Sequence, residues 1–188
     1  MIYCQQITLK NGKTAILRNG TASDGSAVLE NFNLTHAETD YLLSYPDENS
    51  FDAEKEGRYL EKKAASPDEI ELIAWVDGKA VATAGVDAVG SRYKVRHRAE
   101  FGISVLREYW GLGLGRALTQ ACIACAREAG YAQLELSVVA ENTRAIALYQ
   151  QEGFVEYGRN PRGLSFPGQR ISGGRPYAAE AVSRVFRR

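Results

Sequence analysis

One α/β domain of the α+β kind, with a mixed but mostly antiparallel sheet flanked by helices, is the fold class that three observations predict. The chain has 188 residues, 45% of them hydrophobic, enough to bury one sizeable core but not two. Its first half carries two hairpin signals, Asn11-Gly12 and Asp77-Gly78, each between apolar runs, and such dipeptides supply the positive φ that tight antiparallel turns need. Its second half changes period: the apolar strand Phe101 to Val105 gives way, through Gly111, Gly113 and Gly115, to a helix with an apolar face, then to another strand and another helix.

Taken in order, Ile2 to Leu9 and Thr14 to Arg18 read as the first two strands. Ser23 or Asp24 can cap the next helix, which carries Ala27, Val28 and Phe32, because short polar side chains satisfy free first-turn N–H groups. Helical pattern with breaks continues from Thr35 to about Ala65 and is acidic. Glu69 to Val76 and Lys79 to Val86 read as the next hairpin, and a basic loop, Arg92 to Arg98, leads into the strand ending at Val105. The long helix runs from Arg116 toward Ala129 and is closed by Gly130; the strand Gln133 to Val139 follows, then a helix from Asn142 to Glu152 closed by Gly153. Phe154 to Tyr157 reads as a short strand and Pro161 to Pro176 as a Gly/Pro-rich loop. Ala178 to Ala181 and Arg184 to Arg188 read equally as helix or strand. No internal repeat is present.

Lys plus Arg and Asp plus Glu both total 23, so no net field draws in nucleic acid or an anionic membrane, and the expected partner is a small molecule or peptide. A homodimer is compatible with the sequence. No apolar run approaches the roughly 20 residues of a spanning helix, and Met1 to Gln6 lacks signal-peptide character, so cytoplasm is the expected compartment. Cys122 and Cys125 form a CxxC inside the predicted helix. Without a second Cys/His pair they read as small packing residues, and no metal is expected.

The three alternating glycines at a strand-to-helix junction read as an anion cradle, since the backbone can approach a ligand closely there and first-turn N–H groups favour negative charge. A Rossmann fingerprint fits poorly: its loop follows the strand at once, whereas several residues separate Val105 from Gly111, and Arg116 stands at the third-glycine position. Glu135, the tempting ribose ligand, lies inside its strand rather than at the end. A Walker loop is excluded because no Gly-Lys-Ser/Thr follows. A plain tight connection remains the alternative. Asn142 and Tyr149, seven residues apart, return to nearly the same helix face; taken alone they read as an N-cap and a partly buried aromatic.

Together these residues resemble the GCN5-related N-acetyltransferase (GNAT) superfamily. Trp110-Gly111-Leu112-Gly113-Leu114-Gly115 is similar to its (Arg/Gln)-x-x-Gly-x-(Gly/Ala) signature, with Trp110 in place of Arg or Gln. Asn142 to Phe154 matches Asn-x-x-Ala-x-x-Leu-Tyr-x-x-x-Gly-Phe without a break. The resemblance implies a single GNAT-like domain over residues 1–188 with a coenzyme-binding core at about 98–157, and acetyl-CoA as cosubstrate. It further implies that the loop from Trp110 through Gly111, Leu112, Gly113, Leu114 and Gly115 to Arg116 holds the pyrophosphate. Ile103, Ser104 and Val105 would offer main-chain groups to the pantetheine arm and the thioester oxygen, and Asn142 would contact the coenzyme.

The Tyr149 hydroxyl is implied to protonate the departing thiolate, and a phenol of pKa about 10 is a neutral donor to a thiolate whose conjugate acid lies near 8.5. An alkylammonium of pKa near 10 must also lose a proton before it attacks. Glu100 is the candidate base, its alternative being a solvated carboxylate balancing Arg96 and Arg98. The implied activity is acetyl transfer from acetyl-CoA to a primary amine by direct attack, since no cysteine stands in the motifs. A non-catalytic acyl-CoA-binding or sensing domain, and transfer of a longer acyl group, stay open. The acidic stretch Glu38 to Glu61 would attract a cationic amine if it bordered the acceptor site; otherwise it is a solvated helix face.

Overall fold

The computed structural model describes residues 1–164 and 177–186. β1 (Cys4–Thr8) and β2 (Thr14–Asn19) form the first hairpin, with Gly12 at φ 82° in the turn. A 3₁₀ turn at Ala22–Asp24 leads into α1 (Gly25–Glu38), and a second 3₁₀ turn at Pro46–Glu48 precedes α2 (Ala53–Ala65). β3 (Ile70–Val76) and β4 (Lys79–Ala88) form the second hairpin. Asp77 and Gly78 both take positive φ, 49° and 79°, as a two-residue primed turn requires. Then come β5 (Arg98–Val105), α3 (Leu114–Glu128), β6 (Gln133–Val139), α4 (Thr143–Gln151), β7 (Val155–Leu164) and β8 (Tyr177–Val185).

Asp24 occupies the position expected of a cap for α1, but its carboxylate turns back. It accepts from the Thr21 N–H at 2.8 Å and pairs with the two terminal guanidinium nitrogens of Arg18 at 2.7 and 2.9 Å. Arg18, with the Thr21 bonds, holds this buried carboxyl down at about 2. The bridge ties β2 to the start of α1.

The strands form one sheet in the order β1-β2-β3-β4-β5-β6-β8-β7, antiparallel throughout except for β5 and β6. Helices cover both faces. Ile70, Leu72, Ala74 and Val76 of β3 join Leu114, Leu118 and Cys122 of α3 in the main core, whereas Ile73 packs with Val28 of α1 and Leu60 of α2. Period-2 alternation along β3 therefore feeds two cores at once. Cys122 and Cys125 are buried in the first of these, and burial pushes the Cys125 thiol up to about 11 and holds the Cys122 thiol well above its ordinary value. They pack; they are not ionised.

The C-terminal part departs from expectation. β7 runs on to Leu164, through Pro161, because the pairing with β8 shifts register between Asn160 and Leu164 and β7 is an edge strand, where a residue lacking an N–H is tolerated. The segment of ambiguous pattern is a strand, β8, inserted between β6 and β7. The rest of the predicted Gly/Pro-rich loop, 165–176, lies outside the described residues. Among those residues no helix is long and apolar enough to cross a membrane.

Candidate active site

The parallel pairing of β5 with β6 covers only Arg98–Glu100 against Gln133–Glu135, after which the strands part. β5 stays with β4 as far as Val105 and β6 stays with β8 as far as Val139, so each keeps one partner and the gap between them opens. Glu135 pins the closed end: its buried carboxylate takes two bonds from Arg98, at 2.9 and 3.0 Å, and one from the Tyr157 hydroxyl at 3.2 Å. This gives Glu135 a structural role. The gap opens into a cavity of about 980 Å³ reached by residues of β3, β4, β5, β6, α1 and α4.

Alternation decides what β5 offers the gap. The Leu106 N–H donates to the Val81 carbonyl at 3.0 Å, so the even residues turn their main chain to β4 and the odd ones, Ile103 and Val105, turn theirs to the gap. Ser104, predicted alongside them, has its main chain on β4 and its Oγ 3.2 Å from Thr83 Oγ. The Val105 carbonyl already accepts from the Trp110 indole N–H at 2.7 Å. Trp110, at the position of the usual Arg or Gln, therefore closes the turn between strand and loop. Its ring lies 5.5 Å from the Arg107 guanidinium and 5.7 Å from that of Arg144.

Gly111 and Gly113 lie at φ 81° and 96°, conformations that cost an ordinary L-residue about 1–2 kcal/mol. The left-handed Gly113 is the N-cap of α3. No N–H group from Gly111 to Arg116 donates to a described residue, so the loop presents a run of free donors at the positive end of a helix. The Lys10 N–H, donating to the Leu112 carbonyl at 3.0 Å, anchors the loop to the β1–β2 turn. Leu112 and Leu114 pack into the core and can serve an anion only through their main chain. The Arg116 side chain is tied to the end of α4, 3.1 Å from Glu152 and bonded to Gln151. A Cβ on Gly111 would come within 2.8 Å of Arg144 Nη2, which brings Arg144 to the loop. The sequence gives no signal for that residue beyond its place two positions after Asn142.

On α4, Asn142 is the N-cap, its Oδ1 accepting from the Ala145 N–H at 3.2 Å, and it also borders the cavity with Tyr149. Tyr149 is 7% exposed and packs edge-on to Phe101, ring centroids 6.2 Å apart, and against Phe154 at 5.8 Å. Burial pushes its phenol up to about 12, so it stays a neutral donor at any physiological pH.

Across the sheet, under α1 and α2, the cavity wall carries three carboxylates from strands: Glu71, Asp87 and Glu100. Glu100, the predicted base, is exposed and stands opposite Asp87 in register. Glu71 was not singled out by the sequence, since one acidic residue in an apolar strand carries no motif. Of the acidic residues from Glu38 to Glu61, none borders the cavity, which fits the solvated-face alternative. Glu38 accepts from the Arg107 N–H at 2.7 Å, Glu48 caps its 3₁₀ turn, Asp52 caps α2, and Glu54 pairs with Arg58. The wall nearest α1 is instead formed by Phe32, His36, Tyr41, Leu42 and Leu43.

Residues 34–154 match the Acetyltransferase (GNAT) family. The chain belongs to this family. Two curated relatives are mycothiol acetyltransferases: that of Jonesia denitrificans is 48% identical over 50 residues and that of Geodermatophilus obscurus 32% over 128 residues. The matches cover 27% and 62% of this GNAT chain, which spans only 16% and 38% of those relatives' lengths. Among solved structures, a GNAT-family acetyltransferase of Streptococcus pneumoniae superposes with TM-score 0.85 at 27% identity, over 92% of this chain and 99% of that one. A Salmonella typhimurium protein solved with its cofactor acetyl-CoA shares the fold, at TM-score 0.75 and 20% identity over 91% and 93% of the two chains.

Proposed function

We propose that the protein is an N-acetyltransferase that moves the acetyl group of acetyl-CoA to a primary amine by direct attack, with Tyr149 as the general acid. One observation carries this reading: a single cavity joins the donor-rich glycine loop, the edge of β5 that no strand pairs beyond Glu100 and the enclosed phenol of Tyr149. The residues fit the cosubstrate. Free N–H groups at Gly111 to Arg116, with Arg144 above them, suit a pyrophosphate. The odd-numbered edge of β5 suits the amide-bearing pantetheine arm, and the Val105 N–H suits a thioester oxygen that gains charge. Asn142 keeps its Nδ2 for the coenzyme while Oδ1 caps α4.

Tyr149 meets the leaving sulfur from the apolar side of the gap. A phenol at about 12 would give up its proton reluctantly to a thiolate in water, but the same desolvation raises the thiol as well. The hydrogen bond then strengthens as charge develops on sulfur. No cysteine borders the cavity among the described residues, in keeping with direct attack.

Thiol release from acetyl-CoA, followed across polyamines, aminoglycosides, amino acids and peptide N-termini, tests the reading. At least one amine is expected to drive release. Tyr149→Phe should then lower kcat about 100-fold or more while acetyl-CoA affinity is kept. Unchanged turnover removes the acid role. Tight coenzyme binding with no release by any amine would favour a sensing domain, and release only with a longer acyl-CoA would reassign the donor.

A further inference from the structure

Glu71 borders the cavity, yet its carboxyl makes no hydrogen bond or ion pair with any described residue. Its position is set by register. Glu71 stands opposite Gly85, and Gly85 opposite Gly102, so the three form one row across β3, β4 and β5 on the face beneath α1 and α2. A Cβ on Gly85 would collide with Glu71 Oε2, whereas one on Gly102 would meet nothing within 4 Å. The carboxyl thus leans over β4, across a floor without side chains, toward the edge where β5 leaves β6. Two strand spacings span about 10 Å, and the side chain covers roughly half of that.

Its neighbours are already matched. Lys63, only 2% exposed, bonds to Asp87 and lies 3.6 Å from Glu69. Glu100 on the same face is exposed. Among the three cavity carboxylates, Glu71 is the one both withdrawn from the surface and without an ionic partner.

We propose that Glu71 is the proton acceptor for the incoming ammonium, its carboxylate facing, directly or through one water, a nitrogen seated above Gly102. This rests on the N-acetyltransferase reading and adds the catalytic base, from β3 rather than from Glu100 on β5. The site would take a compact cationic amine whose charged nitrogen enters along the glycine floor and whose apolar part lies against Phe32, Tyr41 and Leu43. The groups that act on Glu71 are Glu56, Tyr59 and Lys63 from α2 and Asp87 from β4; Glu69 stands just before β3 beside Lys63, and Glu100 from β5 and His36 from α1 line the same cavity. Burial raises its carboxyl to about 8, with Lys63 opposing and Asp87 and Glu56 adding. That brings it nearer to an ammonium of pKa about 10, which favours transfer between them.

The protons balance. The ammonium gives one to Glu71, which later releases it to solvent. The freed lone pair forms the C–N bond, the C–S bond breaks, and sulfur takes the Tyr149 proton. The second proton leaving nitrogen returns to Tyr149, so the products are the amide, the coenzyme thiol and one proton.

The test is the pH dependence of kcat/KM for Glu71→Gln and Glu71→Asp with whichever panel amine the wild type acetylates best, beside their acetyl-CoA affinity. The wild-type profile should rise with an apparent pKa near 8. Glu71→Gln should lose about 100-fold or more at pH 7, with the deficit shrinking as the pH nears the amine's own pKa, and Glu71→Asp should recover part of the rate. Coenzyme affinity should stay unchanged in both. A loss equal at all pH values, or one accompanied by weakened coenzyme binding, would mark Glu71 as structural. A loss under about 10-fold would return the role to another group. If the wild type acetylates no amine, the activity itself fails and this assignment with it.

Discussion

Gly113 shows how far one residue can decide this site. Its φ of 96° admits glycine readily, yet a Cβ there would meet nothing within 4 Å, so a substitution strains the backbone without crowding the core. Gly113→Glu should therefore leave the protein folded, at a cost of about 1–2 kcal/mol, while placing a side chain and a negative charge among the donors of the loop. Calorimetric titration with acetyl-CoA should find binding lost. Retained binding would mean the loop is only a connection. Trp110 teaches the converse: by sequence it weakens the signature, but in the structure its indole N–H satisfies the Val105 carbonyl at 2.7 Å. A motif records which residues are usual, not which hydrogen bond each one makes.

At the scale of elements, the Arg18–Asp24 pair joins β2 to α1, and its effect on stability has a definite sign. The folded-state pKa of Asp24, about 2, lies below its ordinary 3.8, so the pair's stabilisation is fully present above pH 4 and fades as pH falls toward 2. Asp24→Asn should cost roughly 1–2 kcal/mol at pH 7, and urea unfolding of both proteins should converge near pH 2; a difference that persists there would point to lost packing instead. Local chemistry made most elements legible: the Asn-Gly and Asp-Gly turns, the 3.6 period of α3, and glycines closing α3 and α4. β8 was not legible, because Ala178 to Ala181 favours helix locally and pairing with both β6 and β7 overrides that preference. Nor was Glu71, whose significance comes from Gly85 and Gly102 standing in its row, a relation that only register reveals.

For the molecule as a whole, the functional geometry comes from one departure in an otherwise continuous sheet. β5 and β6 pair for three residues and then separate, which opens a passage between two differently furnished faces. On the side of α3 and α4 lie the glycine loop, Asn142 and the apolar surround of Tyr149. On the side of α1 and α2 lie the glycine floor and Glu71. A thioester held in the passage would have its leaving group on the first side and its attacking nitrogen on the second, and in the proposed mechanism two titratable groups pushed upward by burial would divide the proton transfers between them. The most direct test is to incubate the protein with acetyl-CoA carrying a deuterated acetyl group and the most reactive amine, and to follow the label by mass spectrometry. The account predicts that the label appears on the amine nitrogen in step with free coenzyme A thiol, with none on the protein. Label that accumulates on the protein, or stays on bound coenzyme whatever amine is supplied, would contradict it.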